Sequence, residues 1–183
     1  MGLGPSPAGD VSMNSILDPE LARHYQEPAT IRTILSTTKT IAMVGLSPNN
    51  QRPSYFVGSY LQYEGYRVIP VNPRATEILG EKAYPDLASI DLEETGPIDM
   101  VNVFRRPEEC VEIANQAVSI GAKFLWLQLR VMNHEAARIA ESGGLKVVMD
   151  RCVKIEHGRY NGSLHWVGMN TELITARKQR RWF

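Results

Sequence analysis

The chain carries almost nothing that would staple it covalently or through a metal. Its two cysteines, Cys110 and Cys152, cannot build a disulfide framework or a four-ligand zinc site. No run approaches 18 uninterrupted apolar residues, so no transmembrane helix is expected. Net charge is missing as well: 20 Lys+Arg balance 20 Asp+Glu, which argues against a generic nucleic-acid binder. The first residues, Met1 to Ser6, have neither the basic start nor the apolar run of a signal peptide. Gly2 and Ser6 match the loose N-myristoylation pattern, but a single acyl chain holds a membrane only marginally. These absences set the expectation of a soluble, cytoplasmic protein with no membrane or nucleic-acid partner.

What is present suits one globular core, with 43% hydrophobic and 22% charged residues in 183. Residues 1–15 read as a flexible leader rich in Gly, Pro and Ser. The domain proper is expected over 16–157, beginning with a helical segment around 20–37. Residues 158–183 form a C-terminal extension ending in Arg177-Lys178-Gln179-Arg180-Arg181-Trp182-Phe183. That basic, aromatic end reads as a solvated tail or as an arm docked in a homo-oligomer.

Between leader and extension, apolar strands alternate with amphipathic helices. Strands are expected at Thr40–Val44, Arg67–Val71, Ile98–Val103, Lys123–Leu127 and Lys146–Met149, with a brief one near Lys82–Tyr84. Helices are expected after Ser54 as N-cap, from Pro85, from Pro107 and after Asn133. Near-continuous apolar strands separated by helices indicate a parallel sheet covered on both faces. The predicted fold class is α/β, a Rossmann-like doubly wound parallel sheet of five to six strands.

Ligands of such sheets bind beyond the carboxyl ends of the strands, and each of the five main ends carries an arginine nearby: Arg52, Arg74, Arg105 with Arg106, Arg130 and Arg151. Gly45 allows close backbone approach. The helix start near Ser54 and the hydroxyls of Ser47 and Ser54 can hold phosphate oxygens, and Arg52 can pair with them. With acids such as Glu108, Glu109 and Glu112 on helices, the arginines are expected at one positive edge, which points to an anionic ligand. A dinucleotide reading has faults. There is no G-x-G-x-x-G, and Asn72-Pro73-Arg74 stands where an NAD-binding acid belongs. Arg74 suits a ribose-borne phosphate, which NADP and coenzyme A both carry. No Tyr-x-x-x-Lys pair supports an NADP-dependent oxidoreductase.

Several segments then fall into one pattern: Gly45-Leu46-Ser47, Arg52-Pro53-Ser54, Val68-Ile69-Pro70-Val71-Asn72-Pro73, Ile78-Leu79-Gly80-Glu81, Val103-Phe104-Arg105-Arg106, Trp126-Leu127-Gln128 and Met149-Asp150-Arg151-Cys152. From about residue 30 to 157 the chain resembles the small stand-alone CoA-binding proteins, which are similar to the CoA-binding domain of the succinyl-CoA synthetase α subunit. The resemblance implies that Gly45, Ser47, Arg52 and Ser54 line the CoA phosphates. It places Asn72, Pro73 and Arg74 near the ribose phosphate and adenine, and Phe104 and Arg105 in the next loop of the crevice. Val153 departs from the proline that follows the cysteine in small relatives. The ligases also use a phosphorylatable histidine in a glycine-rich loop and a nucleotide-grasp subunit, whereas His24, His134 and His165 have no glycine beside them and His157 has the single neighbour Gly158.

The expected function is therefore binding of CoA or an acyl-CoA, with no ligase chemistry and no catalytic or metal-ligating residues. Cys152 is the residue to watch for thiol redox with CoA, because Arg151 and Lys154 beside it would lower its pKa. Cys110 reads as core.

Overall fold

The computed structural model describes residues 15–160. The leader up to residue 14 and most of the C-terminal extension, with its basic tail and His165, lie outside the described residues. Two short helices, α1 (Pro19–Tyr25) and α2 (Pro28–Thr37), replace the single helical segment expected over 20–37. The break has a local cause. Glu27 precedes a proline and is held extended at φ −62, ψ 124. Asp18 caps α1 by accepting from the amides of Glu20 and Leu21.

From there the chain alternates: β1 (Thr40–Val44), α3 (Pro53–Tyr63), β2 (Arg67–Val71), a small hairpin of β3 (Glu77–Ile78) and β4 (Glu81–Lys82), α4 (Leu92–Thr95) and β5 (Met100–Val103). A 3-10 turn at Pro107–Glu109 leads into α5 (Cys110–Ser119), followed by β6 (Phe124–Leu127), α6 (His134–Ser142), β7 (Lys146–Val148) and α7 (Val153–Tyr160). Proline occupies the first turn of α1, α2 and α3, where its missing N–H costs nothing. Asn133 caps α6 as its sequence predicts, accepting from Ala136.

The main sheet has the order β2-β1-β5-β6-β7, and every pairing in it is parallel. Tyr84 adds one parallel bridge to Val71, which is what the expected sixth strand amounts to. The helix expected from Pro85 is displaced to α4, which starts at Leu92. Successive strand residues point to opposite faces and feed two cores. Ala42, Val44, Val101, Val103, Leu125 and Leu127 join α5, α6 and the 84–98 segment on one face. Ile41, Met43, Val68, Met100, Trp126 and Val148 pack with α2, α3 and α7 on the other. The pair α1–α2 folds around the β7 side, Tyr25 entering the first core and Ile31, Ile34 and Leu35 the second.

A buried carboxylate ties each end of the sheet. At the amino ends of the strands, Asp99 accepts from the amides of Lys39 and Thr40 and from Lys123 Nζ at 2.8 Å. Burial alone would raise its pKa, but the lysine and the two amides hold it below the usual carboxylate value. At the carboxyl ends, fully buried Asp150 accepts from Ser15 Oγ, the Ile16 amide and the Arg130 amide at 2.6–2.9 Å. Asp150 and Arg130 both sit at positive φ to make that meeting possible. Removing the carboxylate strands three donors. Asp150→Ala is expected to destabilise the fold by about 2–4 kcal/mol, measured by urea denaturation, with Asp150→Asn losing less.

Candidate functional site

The strand order changes direction between β1 and β5, so the chain leaves these neighbours toward opposite faces and opens a crevice at their carboxyl ends. Gly45 stands at that opening. Its φ is +86, and a Cβ there would lie 2.4 Å from the Phe104 carbonyl oxygen and 2.8 Å from Arg105 Cδ. Its amide donates to Val71 O at 2.9 Å, and the Phe104 amide donates to Val44 O at 2.8 Å, so β2, β1 and β5 are laced together where the crevice begins.

The loop after Gly45 is ordered by its own side chains. Ser54 Oγ accepts from the Ser47 amide at 3.1 Å, and Ser47 Oγ accepts from the Asn49 amide at 3.1 Å. Asn72 Nδ2 donates to Leu46 O at 2.8 Å while its Oδ1 accepts from the Arg74 amide, joining the β1 and β2 loops. Ser54 is not the N-cap expected of it. Arg52 holds that position without a side-chain cap, and Ser54 lies buried inside the first turn. At the start of α3 the Tyr55 amide is already used by Arg52 O at 3.0 Å, whereas the Ser47 hydroxyl donates to no protein group among the described residues and leaves a donor on the loop.

A cavity of about 280 Å³ occupies the crevice, lined by Gly45, Pro73, Leu87, Arg105, Glu109 and Glu112 among others. The structure thus brings Gly45, Pro73 and Arg105 together at this cavity. Ser47, Arg52 and Arg74 stand on the adjoining loops. The electrostatics differ from the sequence expectation of a uniformly positive edge. Glu109 reaches back from the start of α5, 2.6 Å from Arg105 Nη2 and 3.3 Å from Arg106 Nε. Burial would raise the Glu109 pKa, but the two guanidiniums win and hold it down. Arg105 is therefore partnered, whereas the exposed side chains of Arg52 and Arg74 have no ion-pair partner among the described residues. The i,i+4 spacing of Arg105 and Glu109 was the signal available in the sequence for this pairing.

Arg151 and Cys152 belong to a different neighbourhood. Trp126 Nε1 donates to Arg151 O at 2.7 Å, and Arg151 turns toward Glu156 of α7. Cys152 packs against the second core. Its thiol is pushed up, not down: burial outweighs the Lys154 charge and the α7 amides. Val153, for which the family resemblance implies proline, opens α7, a position that tolerates either residue. Sequence reasoning set Glu109 on a helix apart from the arginines it in fact pairs with, and it passed over the buried Asn102–Gln128 pair at 2.7 Å and the Glu156 cluster.

An open parallel sheet with a glycine turn at its switch point defines a Rossmann-like α/β domain. More particularly, the model of the CoA binding domain family matches residues 39–158, and the chain belongs to that family. A Bacillus subtilis (strain 168) protein, YneT, is 43% identical over 129 residues, covering 70% of this chain and 93% of its own. A hypothetical protein from Pyrococcus horikoshii OT3 superposes with TM-score 0.69 at 40% identity, covering 73% of this chain and 91% of that one. The dinucleotide-forming acetyl-coenzyme A synthetase 1 of Ca. Korarchaeum cryptofilum shares the fold, with TM-score 0.53 at 21% identity over 61% of this chain and 26% of its own. Among the described residues no group of His, Cys, Asp and Glu is arranged to hold a metal, and no helix is long and apolar enough to cross a membrane.

Gly45→Ala is expected to cost at least about 2 kcal/mol from strain and the clash with the Phe104 carbonyl, read as a lowered melting temperature. For Cys152, the raised pKa means little thiolate near neutrality. Alkylation by iodoacetamide at pH 7.4 should run slower than that of a free thiol; an equal or faster rate contradicts the burial argument.

Proposed function

We propose that this protein binds coenzyme A or an acyl-CoA in the crevice beyond β1, β2 and β5, and that it acts as a binding protein without ligase chemistry. The observation that carries the reading is the pair Arg52 and Arg74. They stand exposed on the loops after the neighbouring strands β1 and β2, without an ion-pair partner among the described residues, where two guanidiniums can meet the phosphates of one ligand. In this reading Arg52, Ser47 and the start of α3 take the pyrophosphate, with Ser54 shaping the loop from within. Arg74 takes the ribose phosphate, and Asn72 and Pro73 wall the adenine. Phe104 and Arg105 border the path of the pantetheine.

The histidines support a binding role. His24 is 2.7 Å from Glu141, His157 is buried with Nδ1 2.9 Å from Tyr60 Oη, and His134 opens α6. None of these three lines the crevice cavity, so none is presented there as a phosphoryl carrier. Thiol exchange between Cys152 and CoA is a weaker reading, because the thiol stays protonated and half-buried.

Isothermal titration of the full chain with CoA, dephospho-CoA and NADPH tests this. CoA binding is expected, with about tenfold or greater loss for dephospho-CoA and for Arg74→Ala, the size of a charge-assisted contact. Tight NADPH binding without heat from CoA would overturn it in favour of a pyridine-nucleotide protein.

A further inference from the structure

A second cavity, of about 680 Å³, shares no lining residue with the crevice. Helices α1 and α2 form one wall, contributing Arg23, Gln26 and Glu27; Arg151 and residues Glu156, Arg159 and Tyr160 of α7 form the other. All of the first wall precedes residue 39, where the family match begins.

The charges here do not balance. Glu156 is buried, its side chain 2% exposed, and both its oxygens accept from Arg159 Nη1 at 3.0 Å. Arg151 Nη1 lies 3.9 Å from the same carboxylate. Two guanidiniums, with side chains 11% and 23% exposed, therefore share one anion. Arg23 and Glu27 are both exposed at the mouth, with no ion pair between them among the described residues. The carboxylate of Asp150 is close by but is taken up by Ser15, Ile16 and Arg130, and among the described residues no second carboxylate lies within 4 Å of either guanidinium; a mostly buried cation without its own counter-charge is costly.

Hydrogen bonding is incomplete at the same place. Arg151 Nε, Arg159 Nε and Gln26 Oε1 are buried without a partner, and Asn102 Nδ2 is the remaining such atom found among the described residues. Gln26 is 7% exposed. Its amide orientation is settled because Nε2 donates to Met149 O at 2.9 Å and to Ser15 Oγ at 2.7 Å. The two Nε groups are donors and call for an acceptor, whereas Gln26 Oε1 is an acceptor that a water or a hydroxyl meets; water can serve both but brings no negative charge to the second guanidinium.

We infer that the cavity between α1, α2 and α7 is a second binding site, for a small oxyanion, carboxylate or phosphate, held by Arg151 and Arg159 with Arg23 at its mouth. The site is independent of the CoA reading. It links the N-terminal helices to the last helix, so occupancy stabilises the closure of α1–α2 over the β7 side of the sheet.

The test is calorimetric titration of the full chain, at constant ionic strength, with inorganic phosphate and with malate as probes and chloride as control. Saturable binding of at least one oxyanion is expected, and which of the two binds identifies the chemistry. Arg151→Met, checked for folding by circular dichroism, should weaken it about tenfold. Arg23→Ala, on an exposed position that leaves the fold intact, should weaken it severalfold. Arg52→Ala, in the crevice, should leave it unchanged. Absence of saturation with both oxyanions overturns the inference. So does wild-type affinity in both Arg151→Met and Arg23→Ala, or loss of binding in Arg52→Ala, which would place the probe in the crevice.

Discussion

The close approach of Gly45 to the Phe104 carbonyl is the constraint on which the remaining architecture depends. Parallel strands require crossovers, and the chain must depart from β1 and β5 toward opposite faces. That divergence opens a crevice only if the two exits stay in contact at its base. A side chain at residue 45 would collide with the Phe104 carbonyl and Arg105. With glycine there, the β1, β2 and β5 exits are stitched by amide bonds, and the loops carrying Arg52 and Arg74 are set on one rim.

Electrostatics are apportioned around that opening with some economy. Asp99 and Asp150 are placed where several donors converge, one at each end of the sheet, and both are buried with their hydrogen-bonding capacity used. Glu109 neutralises Arg105 and Arg106 beside the crevice. On the β1 and β2 loops Arg52 and Arg74 are exposed and have no ion-pair partner among the described residues. Polar groups that the fold leaves incomplete gather elsewhere, where α7 meets the N-terminal helices.

Much of the fold was legible in the residue pattern. Buried strands such as Ile41–Val44 and Leu125–Leu127 are short apolar runs, and proline and asparagine mark helix starts through local chemistry. The misses also have local reasons. Helices α1 and α2 look continuous until the extended residue before Pro28 is given its due. Helix α7 buries Glu156 and His157, residues that a pattern reading assigns to solvent. The segment after Pro85 is ordered by Leu87 and Ile90 reaching the core and by Gln116 accepting from the Leu87 amide, contacts no window of sequence contains.

Alternation of strand and helix, the glycine turn, and the succession of strand-end motifs were determined by the sequence itself, because each rests on neighbours within a few residues. The tertiary structure decided which charges are free. Five arginine-bearing strand ends look alike in the sequence, yet Arg105 is bound to Glu109, Arg151 leans on buried Glu156, and Arg52 and Arg74 stand open. The same holds for Cys152, whose basic neighbours suggest an acidic thiol and whose burial makes it the reverse. The zero net charge is likewise a sum over groups in unlike surroundings. Ionisation and pairing depend on the volume a side chain shares and the water it loses. Those are set by packing between segments more than a hundred residues apart, such as Gln26 and Met149, and not by the order of residues along the chain.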